Sequence, residues 1–149
     1  MTIVTRKTTY FEDLQEGMDA SMIRRVSEQD ILSFAEITGD RNPVHVDAEY
    51  AAKTMFKGRI SHGMLTASYL SAVFAMELPG PGCIYVSQTL NFRAPVRIDD
   101  EVLTTVRVAE LYPVKRRARF ECSCSVGGKP VLEGEAMLMV PARPATSTG

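Results

Sequence analysis

The sequence predicts an α+β chain in which a curved antiparallel sheet closes over one interior helix. Three observations lead there. Between His62 and Glu77 there is no charged residue, and Met64, Leu65, Leu70, Val73, Phe74 and Met76 surround the whole circumference of a helix. A helix apolar on every side lies inside a protein or spans a membrane, and this one is too short to span. Residues 84–140 then alternate apolar and polar positions in successive runs, the pattern of antiparallel strands with one dry face and one wet face. The dry face needs a cover, and the charge-free helix is the large apolar object available to it.

Composition bounds the rest. The chain has 149 residues, 45% hydrophobic and 23% charged, with net charge −1. That length suits a single domain, residues 1–149, with a core that stands without staples. No apolar run is long enough for a membrane span, and the N-terminus MTIVTRKTTYFEDL has no apolar region of the secretory kind. The near-zero charge and the lack of a basic tract argue against nucleic acid as a partner. The three cysteines are an odd number without a CxxC pair. Cys122 and Cys124 share one face of an extended run and so do not bond each other easily. Reduced thiols in a cytoplasmic protein are the simpler expectation.

The elements follow in chain order. A short extended piece is expected at residues 8–11, a turn at Glu16 and Gly17, and a strand over residues 19–26. Ser27 caps a helix with Asp30 in its first turn. Ile31, Phe34, Ala35 and Thr38 share its apolar face, and Gly39 ends it. Asn42-Pro43 reads as a turn, Asp47 as the cap of a short helix through Ala52, and residues 57–59 as a loop. Ser61 is the expected cap of the interior helix, residues 61–78, which Pro79-Gly80-Pro81-Gly82 stops.

Four strands come next. Their expected inner rows are Ile84, Val86, Leu90 and Phe92; Val102, Val106 and Val108; Ala118, Phe120, Cys122, Cys124 and Val126; and Leu132, Ala136, Leu138 and Val140. Gly127-Gly128 is a hairpin signal. Asp99-Asp100 and Tyr112-Pro113 separate the other pairs. The first six residues and the small, polar, Pro-containing stretch 141–149 are expected to be loose.

The chain's two histidines, His45 and His62, fall in or beside the loop-rich stretch ahead of the interior helix. Asp40 precedes His45 by five positions with the Asn42-Pro43 turn between them, and a turn can bring both side chains to one small volume. A carboxylate and an imidazole near one water make an acid/base pair. Gly63, at the start of the interior helix, exposes its amide without a side chain in the way. Unpaired amides at a helix start favour an anionic oxygen, and dryness strengthens that effect.

Taken singly, each residue has a structural explanation: Asp, Asn and Pro form turns, and Gly allows close packing. No histidine spacing or carboxylate cluster makes a metal site, so none is expected. A GxSxG elbow, a Walker A loop and a GxGxxG fingerprint are absent. The cysteines suit core positions better than nucleophilic ones.

Two linked blocks carry a resemblance. FAEITGDRNPVHVDAEYA (residues 34–51) followed by GRISHGMLTASYLS (residues 58–71) closely resembles the MaoC-like, (R)-specific enoyl-CoA hydratases, as does ELPGPGCIYVSQTLNFRAPVRIDDEV (residues 77–102). The likeness runs over roughly residues 10–140. It implies a hot-dog fold, in which a curved sheet wraps a long central helix. It also implies a homodimer with each active site near the subunit interface. The catalytic residues it implies are Asp40 and His45, with Gly63 as the oxyanion-hole amide and Ser71 as a serine near the catalytic aspartate.

The implied reaction is reversible syn addition of water to a trans-2-enoyl-CoA. Asp40 would serve as base, His45 would hold the water, and the Gly63 amide would take the thioester oxygen. CoA is part of the substrate, and no separate cofactor is implied. Tyr50, Met55, Phe56, Met64 and Leu65 are candidates for an apolar acyl pocket, and Lys57, Arg59, Arg93 and Arg97 for the CoA phosphates. The rival readings are an acyl-CoA thioesterase of the same fold, a dehydratase of a branched, dicarboxylic or carrier-protein-bound hydroxyacyl thioester, and a non-catalytic thioester-binding module.

Overall fold

The β-branched, alternating runs pair as the pattern requires, one face dry and one wet, and the computed structural model describes residues 7–145 of the chain. The strands are β1 (Asp19–Arg25), β2 (Ile84–Gln88), β3 (Asn91–Phe92), β4 (Glu101–Tyr112), β5 (Arg117–Val126) and β6 (Lys129–Met139). They form one antiparallel sheet in the order β1-β4-β5-β6-β2, with β3 also on β6. The helices are α1 (Glu28–Thr38), α2 (Pro43–Val46), α3 (Ala48–Ala52) and α4 (Gly63–Met76).

Helix α4 covers the dry face, as expected. Leu70, Val73 and Phe74 are buried with Val102, Val106, Phe120, Leu132 and Leu138 in one core. Phe74 meets Phe120 edge to face, ring centres 5.0 Å apart. Each such side chain contributes about 1.5–3 kcal/mol by leaving water, so α4 and the sheet stabilise one another. Among the described residues, no helix is long and apolar enough to cross a membrane.

Local signals around the core behave as read. Ser27 and Asp30 form a reciprocal capping box on α1, and Gly39 closes that helix in the left-handed conformation. Asp47 caps α3 through the Tyr50 amide. Gly127 and Gly128 turn the β5–β6 hairpin with positive φ.

Several expectations are corrected. Residues 8–10 take no regular structure, and Phe11–Asp13 is a single 3-10 turn. Asn42-Pro43 opens α2 rather than a simple turn. The cap residue of α4 is His62, not Ser61, and no side chain bonds the free amides. Helix α4 is not buried all round: Met64 and Met76 are exposed, and so are Ser68, Ser71 and Ala75.

The expected first inner row also fails, because Ile84, Val86 and Phe92 are exposed. Strand β2 is a sheet edge, and an edge has a neighbour on one side only. Of the expected loose ends, residues 1–6 and 146–149 lie outside the described residues. Residues 141–145 have no regular structure, but Arg143 pairs with Asp13 and its amide donates to Glu12.

One glycine sets the path from β2 to β3. A Cβ on Gly134 of β6 would lie 1.9 Å from the Thr89 carbonyl oxygen. The chain at Thr89 therefore crosses directly over Gly134 and continues to Phe92. Gly134→Ala is expected to force the two backbones apart and to cost about 1–3 kcal/mol. Thermal or denaturant unfolding of the purified variant checks this, and wild-type stability would contradict it.

Candidate active site

The stretch between α1 and α4 holds α2 and α3, and its first turns are tied by its own side chains. After Gly39, the Asp40 amide donates to Thr38 Oγ1 at 3.1 Å. The Asn42 amide donates to Asp40 Oδ1 at 3.2 Å. Asn42 Oδ1 accepts from the Val44 amide at 3.3 Å, which caps α2 with Pro43 in its first turn. Proline there loses no helical bond and its φ is already set. This four-residue helix turns His45 inward, to 8% exposure, while Asp40 stays exposed at the mouth.

The His45 ring is oriented by the main chain opposite. Its Nδ1 lies 2.8 Å from the Ile60 carbonyl oxygen. A carbonyl only accepts, so Nδ1 carries the hydrogen and Nε2 keeps its lone pair. The Ile60 amide returns a bond to the Val44 carbonyl at 3.2 Å, and the Ser61 amide donates to Val96 at 2.6 Å. Arg59 Nε donates to the His45 carbonyl at 2.7 Å, and Nη1 pairs with Glu28 at 2.7 Å. Arg59 is thus a strut between α1 and α2 rather than a free cation.

These elements enclose a cavity of about 550 Å³, within the range of small-molecule sites. Asp40, His45, His62 and Gly63 all border it. Its walls are largely apolar, with Met55, Phe56, Ile60, Phe92, Val131 and Leu132 among them. A Cβ on Gly63 would sit 2.7 Å from Cε1 of Phe92. Gly63 therefore permits close packing, and it also begins α4, where the first amides have no partner inside the helix.

The structure sorts the sequence candidates. Asp40, His45 and Gly63 meet at one cavity. Ser71 does not join them within the chain: it is exposed two turns along α4, outside the cavity lining. Met55, Phe56 and Met64 line the cavity, whereas Tyr50 and Leu65 do not. Arg93 lines it and pairs with Glu133, and Arg97 donates to the Phe56 carbonyl.

Several wall residues carry no sequence signal for a pocket: alternation puts Phe92 in a core row, and nothing marks Thr66 in the charge-free helix. The ligating atoms of Asp40, His45 and His62 all lie within 4.8 Å of one another. Of the His62 nitrogens, Nε2 is taken by its bond to the Asp40 carbonyl oxygen. The strand thiols are poor nucleophiles, since burial pushes Cys122 up to about 12.

A family model described as a MaoC like domain matches residues 11–129. The chain is 55% identical to the 3-hydroxybutyryl-CoA dehydratase of Methylorubrum extorquens, covering 91% of this chain and 86% of the relative. It is 54% identical to an (R)-specific enoyl-CoA hydratase of Rhodospirillum rubrum, covering 90% and 93%. The unliganded R-hydratase PhaJ1 from Pseudomonas aeruginosa superposes with a TM-score of 0.87 at 41% identity, over 95% of this chain and 97% of the other. The hot-dog architecture inferred from the resemblance is therefore the observed one.

Burial holds the His45 imidazole below its ordinary value of 6.5, against the opposing pull of the Ile60 carbonyl and the Asp40 carboxylate. The folded state prefers the neutral ring, so this contribution to stability is present above pH 6.5 and lost as pH falls towards the folded value. An NMR titration of the two histidines should place the His45 midpoint under 6.5. A midpoint at or above that value would contradict the described burial.

Proposed function

The chain belongs to the MaoC-like dehydratase family, and from that membership we propose that it is an (R)-specific enoyl-CoA hydratase, working in reverse as a 3-hydroxyacyl-CoA dehydratase. It is a hydro-lyase that adds water reversibly to a trans-2-enoyl-CoA. The observation that carries this reading is the convergence of the Asp40 carboxylate, the His45 imidazole and the Gly63 helix start on one apolar cavity.

A water molecule held between the Asp40 carboxylate and His45 Nε2 has acceptors for both of its hydrogens. Asp40 takes one proton as the water oxygen bonds to C3 of the alkene. The π electrons move towards the thioester carbonyl, whose oxygen gains negative charge. An amide at the beginning of α4 stabilises that charge through a hydrogen bond and the positive helix end. Collapse of the enolate takes a proton at C2, delivered from the same Asp40 and His45 pair. Oxygen and hydrogen thus arrive on one face, which is syn addition. Water and protons are all that move, and CoA enters as part of the substrate.

The apolar walls suit a hydrocarbon acyl chain. trans-2-Butenoyl-CoA is the first substrate to test, because the most similar of the relatives named above acts, by its name, on the corresponding 3-hydroxybutyryl thioester. Wild-type protein should bleach the conjugated enoyl absorbance and give the (R)-3-hydroxy product without releasing free thiol. Asp40→Asn should keep the fold and lose roughly 10²–10⁴-fold in kcat. Thiol release at the rate of alkene loss would favour a thioesterase instead, and full activity in the Asn variant would remove Asp40 from the base role.

The same reading includes a homodimer. Edge strand β2 exposes Ile84, Tyr85 and Val86, and an apolar open edge invites a second strand. Pairing of β2 with its copy would extend the sheet and cover the open stripe of α4 that holds Ser68 and Ser71. Light scattering should report twice the 16.4 kDa chain mass. Val86→Lys should shift the population to monomer. A monomeric wild type would overturn this assembly.

A further inference from the structure

The proposed chemistry leaves His62 without a task. Its ring is only 2% exposed. Nε2 lies 2.9 Å from the Asp40 carbonyl oxygen, so Nε2 carries the hydrogen and donates it there. Nδ1 is buried with no partner among the described residues. A proton on Nδ1 would be a buried donor without an acceptor. One face of the ring stacks on His45, with centres 3.9 Å apart and planes 29° from parallel. Phe34 of α1 closes on it at 4.8 Å. The next residue in the chain is Gly63.

We propose that His62 is the positioning residue of this site: its N–H fixes the main chain at Asp40 and its ring plane fixes the attitude of His45. The inference rests on the hydratase reading above and assigns the residue that holds its parts in register. Without His62, the Asp40 turn is tied to α1 through Thr38 and to its own Asn42, and neither bond reaches α4. The His45 ring has one hydrogen bond, to Ile60, and its stacking contact with His62 covers one of its faces. His62 acts on both parts from a single point one residue before the helix amide that meets the thioester. Misplacement of a reacting group by about 1 Å can cost on the order of 10² in rate. This task therefore shows in the chemical step and not in substrate binding.

Two variants separate the two contacts. His62→Phe keeps a ring against His45 and removes the N–H donor. His62→Gln keeps an N–H donor and removes the ring. With trans-2-butenoyl-CoA as the probe, both are expected to lose about 10- to 100-fold in kcat while KM stays within about threefold, the signature of lost transition-state geometry. In the Gln variant the NMR midpoint of His45 should also rise towards 6.5, because His45 loses part of the cover that lowers it. Folded variants with wild-type kcat, or losses that track only the unfolded fraction in a thermal melt, would overturn the proposal.

Long-range 15N NMR on the wild type provides a test that needs no variant. His62 should carry a hydrogen on Nε2, and a ring with its hydrogen on Nδ1 alone would overturn the assignment. Wild type and Asp40→Asn run in parallel keep the two readings apart. If wild type hydrates and Asp40→Asn does not, a normal His62→Phe enzyme sinks this inference alone. If wild type fails to hydrate, the function falls and takes the inference with it.

Discussion

A sheet with one apolar face has to bury that face, and α4 is what buries it. Val102, Val106, Phe120, Leu132 and Leu138 from three strands close on Leu70, Val73 and Phe74. The apolar side of the site is referenced to this contact. It fixes where α4 begins, and the beginning of α4 is one wall of the cavity. It also fixes the strand that returns over Gly134 to bring Phe92 against Gly63 at van der Waals range or closer for any larger residue. The cavity is thus a by-product of how the helix end and the sheet rim fail to fill the same space.

The polar side of the site is built differently. It rests on a chain of bonds from main-chain amides to side-chain oxygens, in which Thr38, Asp40, Asn42 and Asp47 each accept from an amide two or three residues on. These bonds are individually modest, about 0.5–1.5 kcal/mol each. Their effect is geometric: they hold a loop as firmly as an element without a hydrophobic core of its own. Arg59 and Ile60 then clamp that loop to the segment leading into α4. In the proposed reaction, the carboxylate at the mouth and the buried imidazole behind it divide the work of accepting a proton and orienting a water.

Local chemistry was readable in the sequence, and tertiary choice was not. Ser27, Gly39 and Asp47 announce helix ends because capping is a property of a few adjacent residues. The inner rows of β4, β5 and β6 follow from period-two alternation. The first row fails because alternation says which residues share a face and nothing about whether the strand lies at an edge, where Ile84 and Val86 are open. Helix α2 is four residues long and has no periodicity to detect. Asn42-Pro43 fits a turn and a helix start equally. For the site, spacing and turn chemistry could bring Asp40 near His45, but the roles came from the resemblance. The placement of Phe92, and the exposure of Ser71 in the single chain, depend on contacts between distant segments, and no local pattern encodes them.

The central claim is that one acid/base pair on one side of the alkene delivers both halves of a single water. Hydration of trans-2-butenoyl-CoA in D₂O tests it directly, since deuterium at C2 records the face of proton delivery and the C3 hydroxyl records the face of attack. The account predicts one diastereomer by NMR, with deuterium and hydroxyl added to the same face and (R) configuration at C3. An anti product, or deuterium scrambled over both faces of C2, would contradict it.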